Sequence, residues 1–597
     1  MSTASTKSNS KQKVNRPKSP AAGGRRADQA PATLSETVMD ERTWFIAVTA
    51  ILLLAAILRL YNLDLVPLHH DEGVNGNFLV RLVHDGYYHY DPANYHGPTL
   101  YYFAAVIAWI LRPFVGPNAS LTTTGTRLVP ALFGLATIGL IFTLRRNLGT
   151  IATLSAAFLL AISPGAVYLS RYFIHETQFV FFTLGLVVAL LKYFEELNPA
   201  YLILAAISAA LLFATKETAM ISVGVLLIAL VVTQVYRLLW RSIEGTTNQK
   251  KGRTDDYRTF FEKAGGSSRL TVWLVTAFAV FLAVYVLFYS SFFTNYPQGV
   301  YDSLKTFQIW TKTGQEAHKH PAATYIWWLI QQESPLLVFG ALGAIVAVLT
   351  PRRSFALFSA LWAFGIIAAY SLIAYKTPWL SLSFIVPLAL TSGVAIDWFY
   401  EELGGWEASK RLRGYALAGI LLVAIGPLPG MARIFDEAAF RATSDTFEGL
   451  SSIPVHWKTF IPGYQTIDLN FINYDNDNHY YVYVYAHTRR ETLKLLEEID
   501  KVAERTHEGK DTGITIVSAD YWPLPWYLRD YKRVGYHGHM TPSNEPIIIA
   551  RQDQAEEVQT TFGDRYQQIQ SGFNTAGSFP LRPGVDLLLY TRRELVP

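Results

Sequence analysis

The chain has 597 residues, of which 51% are hydrophobic and only 16% charged, with a formal charge of +4 and no cysteine. So apolar a chain of this length reads as a multi-span membrane protein rather than a soluble enzyme. The small net charge shows no nucleic-acid footprint, and the missing cysteines exclude disulfides, thiolate catalysis and Cys-ligated metals, leaving His, Asp and Glu as metal ligands.

Residues 1–42 hold Ser, Pro, Ala, Lys and Arg with almost no large apolar residue, and read as a disordered tail. Their basic residues place them in the cytoplasm under the positive-inside rule. The apolar run that follows begins too late for a cleavable leader and is long enough to span.

Residues 67–100, between that run and the rest of the membrane portion, concentrate the chemistry: the adjacent acids Asp71 and Glu72, five histidines including His96, and the further acids Asp85 and Asp91. Charged groups beside a bilayer are costly unless solvated, paired or used. Neighbours on a helix lie about 100° apart, so one of Asp71 and Glu72 is free to act as a base while the other orients, pairs or binds a metal. An Asp at a helix N-cap is the competing structural role for Asp71.

Apolar runs recur near 43–63, 99–115, 126–144, 150–167, 178–195, 200–215, 219–239, 270–292, 335–350, 354–375, 380–400 and 414–434. If all twelve cross, Arg145-Arg146, the basic linker 241–269 and Arg352-Arg353 fall outside, against the charge rule. If 99–115, interrupted by Arg112-Pro113, stays on the outer side as a re-entrant or surface helix, all three become cytoplasmic. The expectation is therefore eleven spans in a domain over 43–435. It also puts Arg171–Glu176, Lys216-Glu217, the loop 293–334 and Lys376–Trp379 on the outer face with Asp71.

From 436 the composition turns soluble, and 436–597 read as an extracytoplasmic α/β domain. Residues 479–488 alternate like a strand, 489–506 have a helical apolar period, and 514–519, 546–551 and 585–590 read as strands around a helical turn at 523–531. No glycine-rich phosphate loop, catalytic spacing or internal repeat is evident.

The order of a membrane helix, Asp71-Glu72 and then Gly97-Pro98-Thr99-Leu100 resembles the first external loop of the GT-C-fold polyprenyl-phosphate-sugar glycosyltransferases. These are the protein O-mannosyltransferase and aminoarabinose-transferase relatives, and the chain is also similar to prokaryotic mannosyltransferase-like proteins associated with flippase activity. The family's run is Pro-Pro-Leu, so the match is close but imperfect. The resemblance implies a GT-C-like polytopic α-helical fold in a prokaryotic plasma membrane, with Asp71 as general base, and His96 falls where some relatives carry a metal-binding glutamate.

Arg171, followed five residues later by Glu176, is similar to the family's second acidic site, usually closed by Asp; a structural ion pair is the other reading. Lys216 matches a Lys at a span end that meets the carrier phosphate, with snorkelling to the interface as its alternative. His318-Lys319-His320-Pro321 with Tyr325 resembles a His-x-x-Pro-plus-aromatic element, so that His96 with His318 or His320 and an acid would suit zinc or a similar divalent ion; surface histidines without metal are the alternative. Lys376-Thr377-Pro378-Trp379 is similar to a lipid-phosphate clamp. The implied partners are a polyprenyl-phosphate-linked sugar, membrane lipid, and a protein, lipid or glycan acceptor. A non-catalytic accessory or transporter handling lipid-linked sugars is the alternative.

Overall fold

The computed structural model describes residues 39–94, 96–116, 121–243, 262, 265–313, 319–350, 353–402, 457–475 and 481–596. The twelfth apolar run, 414–434, lies outside them. Each of the eleven others coincides with a helix or a bent helix pair. Among the described residues eight helices are long and apolar enough to cross a membrane, or nine if the bent pair is one span. The protein is thus a multi-pass membrane protein.

The membrane portion begins with α1 (Glu41–Leu60), whose first turn is capped by Asp40 accepting from the Thr43 N–H at 2.9 Å. The short α2 (His70–Val80) follows outside the bundle, then α3 (Thr99–Val115) and α4 (Thr123–Phe142). Next come α5 (Thr150–Ala161) and α6 (Pro164–Ser170), bent by 60° at their junction. Pro164 starts α6 at its first turn, where no donor is missed, and Ser163 caps it.

Then follow α7 (Glu176–Glu196), α8 (Pro199–Phe213), α9 (Ala219–Ile243), α10 (Gly266–Tyr289), the polar-faced α11 (Gln298–Thr313), α12 (Thr324–Leu349), α13 (Ser354–Leu372) and α14 (Leu382–Glu402). Helix α12 breaks at Glu333 (φ −133°, ψ 30°), two residues before Pro335. That carboxylate accepts from Ser163 Oγ and the Gly165 N–H, both at 2.8 Å, so the breaks in α12 and in α5/α6 meet.

Ion pairs mark one end of the bundle. Arg145 pairs with Glu41 at 2.9 Å and lies over the Trp44 ring, while Arg353 pairs with Asp397 at 2.7 Å and Glu401 at 2.9 Å. The loops that carry Asp71, Glu176, Lys216 and Trp379 gather at the other end. Helix α3 begins there, with the Thr99 N–H donating to the Ala214 carbonyl, and the chain is back there at Leu121, whose carbonyl accepts from Arg529. Five residue steps from Gly116 to Leu121 reach at most about 18 Å. Its outward face shows Trp109, Ile110 and Phe114, apolar surface suited to lipid.

The C-terminal portion is one mixed sheet: β1 (Ile514–Ile516), β2 (Val534–Tyr536), β3 (Ile547–Arg551), β4 (Tyr566–Ile569), β5 (Phe579–Arg582) and β6 (Val585–Arg592). The order is β2-β1-β3-β6-β4, with β5 pairing β6 beyond β4; β1 is parallel to β2 and β3, and β6 is antiparallel to its partners. Leu495, Ile499 and Val502 of α15 (Thr492–Thr506) pack on one face, and Val558 and Phe562 of α16 (Ala555–Phe562) on the other.

Of the strand expected at 479–488, residues 479–480 lie outside the described residues, and 481–488 form turns and irregular backbone instead. Tyr481, Val482, Tyr483 and Val484 are all buried in the core of the membrane helices. Alternation cannot persist where both sides are covered, and the Tyr483 ring fills the space a side chain on Gly165 would need, 2.4 Å from a Cβ there. A second seam joins α2 to the sheet domain, where side chains at Gly73 and Gly76 would collide with Pro523 and Trp526 at 2.6 and 2.5 Å. The described membrane helices and the sheet domain accordingly belong to one compact unit.

Candidate active site

Helix α2 separates the two adjacent acids. His69 caps it: the Asp71 N–H donates to His69 Nδ1 at 3.1 Å, and Glu72 accepts the His69 N–H at 2.9 Å. Glu72 turns inward, fully buried, and takes Arg127 as a two-pronged partner at 2.8 and 2.5 Å and the Phe173 N–H at 2.7 Å. Arg127 also donates to the carbonyls of Leu63, Val66 and Pro67. The loop before α2 is thereby fixed. Asp71, one residue earlier, keeps its side chain 40% exposed and lines a cavity of about 480 Å³.

The loop joining α8 to α9 supplies the next wall. Lys216 pairs with Glu176 at 2.5 Å, and Glu217 with His96 at 3.1 Å. Burial pulls the Lys216 ammonium down, but Glu176 and Glu217 outweigh it and hold its pKa above the ordinary lysine value. Burial pushes Glu217 up, and His96 with Lys216 overrides that and keeps it low. Main-chain bonds stitch the two loops: the Gly97 N–H donates to the Thr215 carbonyl at 3.0 Å. A Cβ at Gly97 would stand 2.0 Å from the Ala214 carbonyl oxygen, so only glycine fits. His175 donates from Nε2 to the Gly97 carbonyl at 3.0 Å, and burial drives its pKa well below the histidine range.

Trp379 and Tyr370 both line the cavity, and the C-terminal portion contributes Tyr485, Ala486 and Arg582. The Tyr485 carbonyl accepts from His69 Nε2 at 3.0 Å, and burial lowers the pKa of that imidazole to about 4.

Of the residues singled out in the sequence, Asp71, His96, Glu176, Lys216 and Trp379 converge on this cavity. Glu72 lies beneath it. Arg171 does not line it: its guanidinium gathers the carbonyls at the end of α1, with Tyr61 at 2.6 Å and Asn62 at 2.8 Å, a C-terminal cap that suits a cation. Lys376 and Tyr325 also stand outside the lining. The Lys376 ammonium donates to the Ile373 carbonyl and sits 5.9 Å from the Tyr325 ring centre.

His320 packs against Trp328 and is not in the cavity wall, and His318 lies outside the described residues. Among the described residues no three His, Asp or Glu side chains are grouped to hold a metal ion. Sequence reasoning missed Arg127, His175 and Arg582. An arginine in the first turn of an apolar span was a signal for Arg127; Arg582, in a short strand after Pro580, offered none.

Residues 96–245 match the family model of dolichyl-phosphate-mannose-protein mannosyltransferase. No curated protein matches the chain. Among solved structures, ArnT from Cupriavidus metallidurans bound to undecaprenyl phosphate superposes with a TM-score of 0.60 at 15% identity, covering 94% of this chain and 100% of that one. Its apo state gives 0.53 at 15% identity, covering 93% and 99%. The archaeal oligosaccharyltransferase AglB from Archaeoglobus fulgidus gives 0.47 at 14%, covering 94% and 75%. The chain has the GT-C fold of ArnT, and the expected likeness to the polyprenyl-phosphate-sugar glycosyltransferases is borne out by that fold and by the family-model match over 96–245.

Proposed function

We propose that this protein transfers a sugar from a polyprenyl phosphate to an acceptor hydroxyl on the outer face of the membrane, with Asp71 as general base. The observation that carries the reading is the company Asp71 keeps: a part-exposed carboxylate in the same cavity as the buried Lys216–Glu176 pair, at the bundle end away from the Arg145 and Arg353 clusters. The acceptor oxygen attacks the anomeric carbon as its proton passes to Asp71. The bond from that carbon to the phosphate oxygen breaks with its electron pair going to the phosphate, and the configuration inverts. Positioned proton transfer of this kind contributes about 10² to 10⁴ in rate.

Glu72, held by Arg127, fixes the helix that presents Asp71. Glu176 and Lys216 face the donor, with Trp379 beside the sugar. His96 with Glu217 would offer one nitrogen and one oxygen to a divalent ion. Eleven spans with the N-terminus cytoplasmic and the sheet domain external accord with α3 returning to the cavity end.

A transporter or accessory role has one feature in its favour, the buried Glu333 where two broken helices meet, as in transporter sites. That carboxylate is already occupied by Ser163 and Gly165, which favours the enzyme. The test is Asp71→Asn with radiolabelled polyprenyl-phosphate sugars and membrane extract. Transfer drops by at least about 10² while the protein stays folded. Transfer near the wild-type rate would remove Asp71 from the chemistry.

A further inference from the structure

A strand of the C-terminal sheet supplies the cavity with a guanidinium. Arg582 ends β5 and lines the cavity. Its Nη2 pairs with Asp520 Oδ1 at 2.5 Å, and its Nη1 donates to the Trp522 carbonyl at 3.2 Å and lies 3.5 Å from His70 Nδ1. The other oxygen of Asp520 is taken by Arg551 at 2.9 Å, and Asp553 meets the same guanidinium at 3.3 Å.

The remaining permanent cation in the lining, Lys216, is already committed to Glu176 with Glu217 adjoining. Three acids line the cavity, Asp71, Glu176 and Glu217, against two such cations. An anion entering there meets two permanent cations, Lys216, which already faces Glu176, and Arg582. That side chain is 14% exposed, dry enough for a charge-assisted bond to be strong, and its planar fork of five donors suits phosphate oxygens.

We propose that Arg582, aimed by Asp520, binds the phosphate of a substrate, making the C-terminal domain part of the reacting site rather than an appendage. This rests on the transferase reading. The phosphate belongs either to the lipid carrier or to a phosphorylated acceptor, and the same chemistry would recognise both.

The test uses the full chain in detergent micelles. Undecaprenyl phosphate is titrated by calorimetry, and transfer rates are followed against acceptor concentration. Arg582→Gln weakens undecaprenyl phosphate at least tenfold if the carrier is bound. It leaves that affinity intact and raises the acceptor KM at least tenfold, with kcat little changed, if the acceptor is bound. Arg582→Lys, which keeps the charge and most of the packing, recovers part of either loss. Asp520→Asn reproduces a milder form that Asp520→Glu repairs. Wild-type affinity and wild-type acceptor KM in both Arg582 variants would overturn the inference alone. A wild-type protein that neither binds undecaprenyl phosphate nor transfers sugar would overturn the transferase reading and this inference with it.

Discussion

Amide substitution at Asp71 and Glu72 should separate folding from chemistry, because the neighbours occupy opposite environments. Glu72 is 0% exposed and receives four N–H donors, two from a guanidinium that is itself 3% exposed. Glu72→Gln leaves that guanidinium buried without its counter-charge, a loss of about 3–5 kcal/mol. Asp71 is 40% exposed and its carboxylate stands 3.9 Å from His69 Nδ1, so Asp71→Asn should cost no more than about 0.5 kcal/mol. Removing both halves of the buried pair, Glu72→Gln with Arg127→Met, should cost less than the sum of the single changes, with a coupling of about 1–3 kcal/mol. Tryptophan fluorescence in detergent micelles gives the unfolding midpoints, and label transfer gives the rates. Glu72→Gln should lower the midpoint strongly, and Asp71→Asn should lower only the rate. A Glu72→Gln protein with a wild-type midpoint and no transfer would refute this reasoning, because Glu72 would then belong to the reaction.

Stability should fall in acid. The His69 pKa is about 4 in the folded protein against 6.5 ordinarily, so its contribution is full above pH 6.5 and is lost as the pH falls toward 4, on the order of 3 kcal/mol. His175 and His487 are shifted in the same direction. Unfolding midpoints across that window should drop, and His69→Asn, which keeps a capping acceptor, should flatten the slope; a flat wild-type profile would contradict the burial account. For topology, an impermeant maleimide applied to intact cells should label Lys532→Cys and spare Arg146→Cys and Lys250→Cys in this cysteine-free chain. Labelling of Lys250→Cys would sink the eleven-span arrangement.

The long apolar runs were legible because a helix in lipid must satisfy its own backbone, and every run within the described residues became a helix or a bent pair. The cavity was half legible. Asp71, Glu176 and Lys216 stand out as charges at the ends of apolar spans, where charge is costly without a use or a partner. Arg171 stood out for the same reason, yet the role it fills is capping α1, which no spacing could distinguish from substrate binding. In the sheet domain β1, β3 and β6 were read from runs such as Ile547-Ile548-Ile549. Strands β2, β4 and β5 (Val-Gly-Tyr, Tyr-Gln-Gln-Ile and Phe-Pro-Leu-Arg) are broken by Gly, Gln or Pro, so no continuous apolar run marks them. Tyr481 to Val484 misled in the other direction, since their alternation promised one covered face and the membrane helices cover both.

That buried tyrosine segment also sets a timetable for making the protein. The membrane core includes residues that leave the ribosome about 80 positions after Glu402 closes the last described membrane helix, several seconds at ordinary elongation rates. Arg582 arrives some 100 residues later still. The helices therefore wait in the bilayer with an unfilled slot beside Gly165, and the cavity lacks part of its wall until Arg582 has been made. A chain cut short after Glu402 would be inserted yet unable to close its core, a natural mark for membrane quality-control proteases. Completion of the cavity thus reports that the chain has been made at least as far as Arg582.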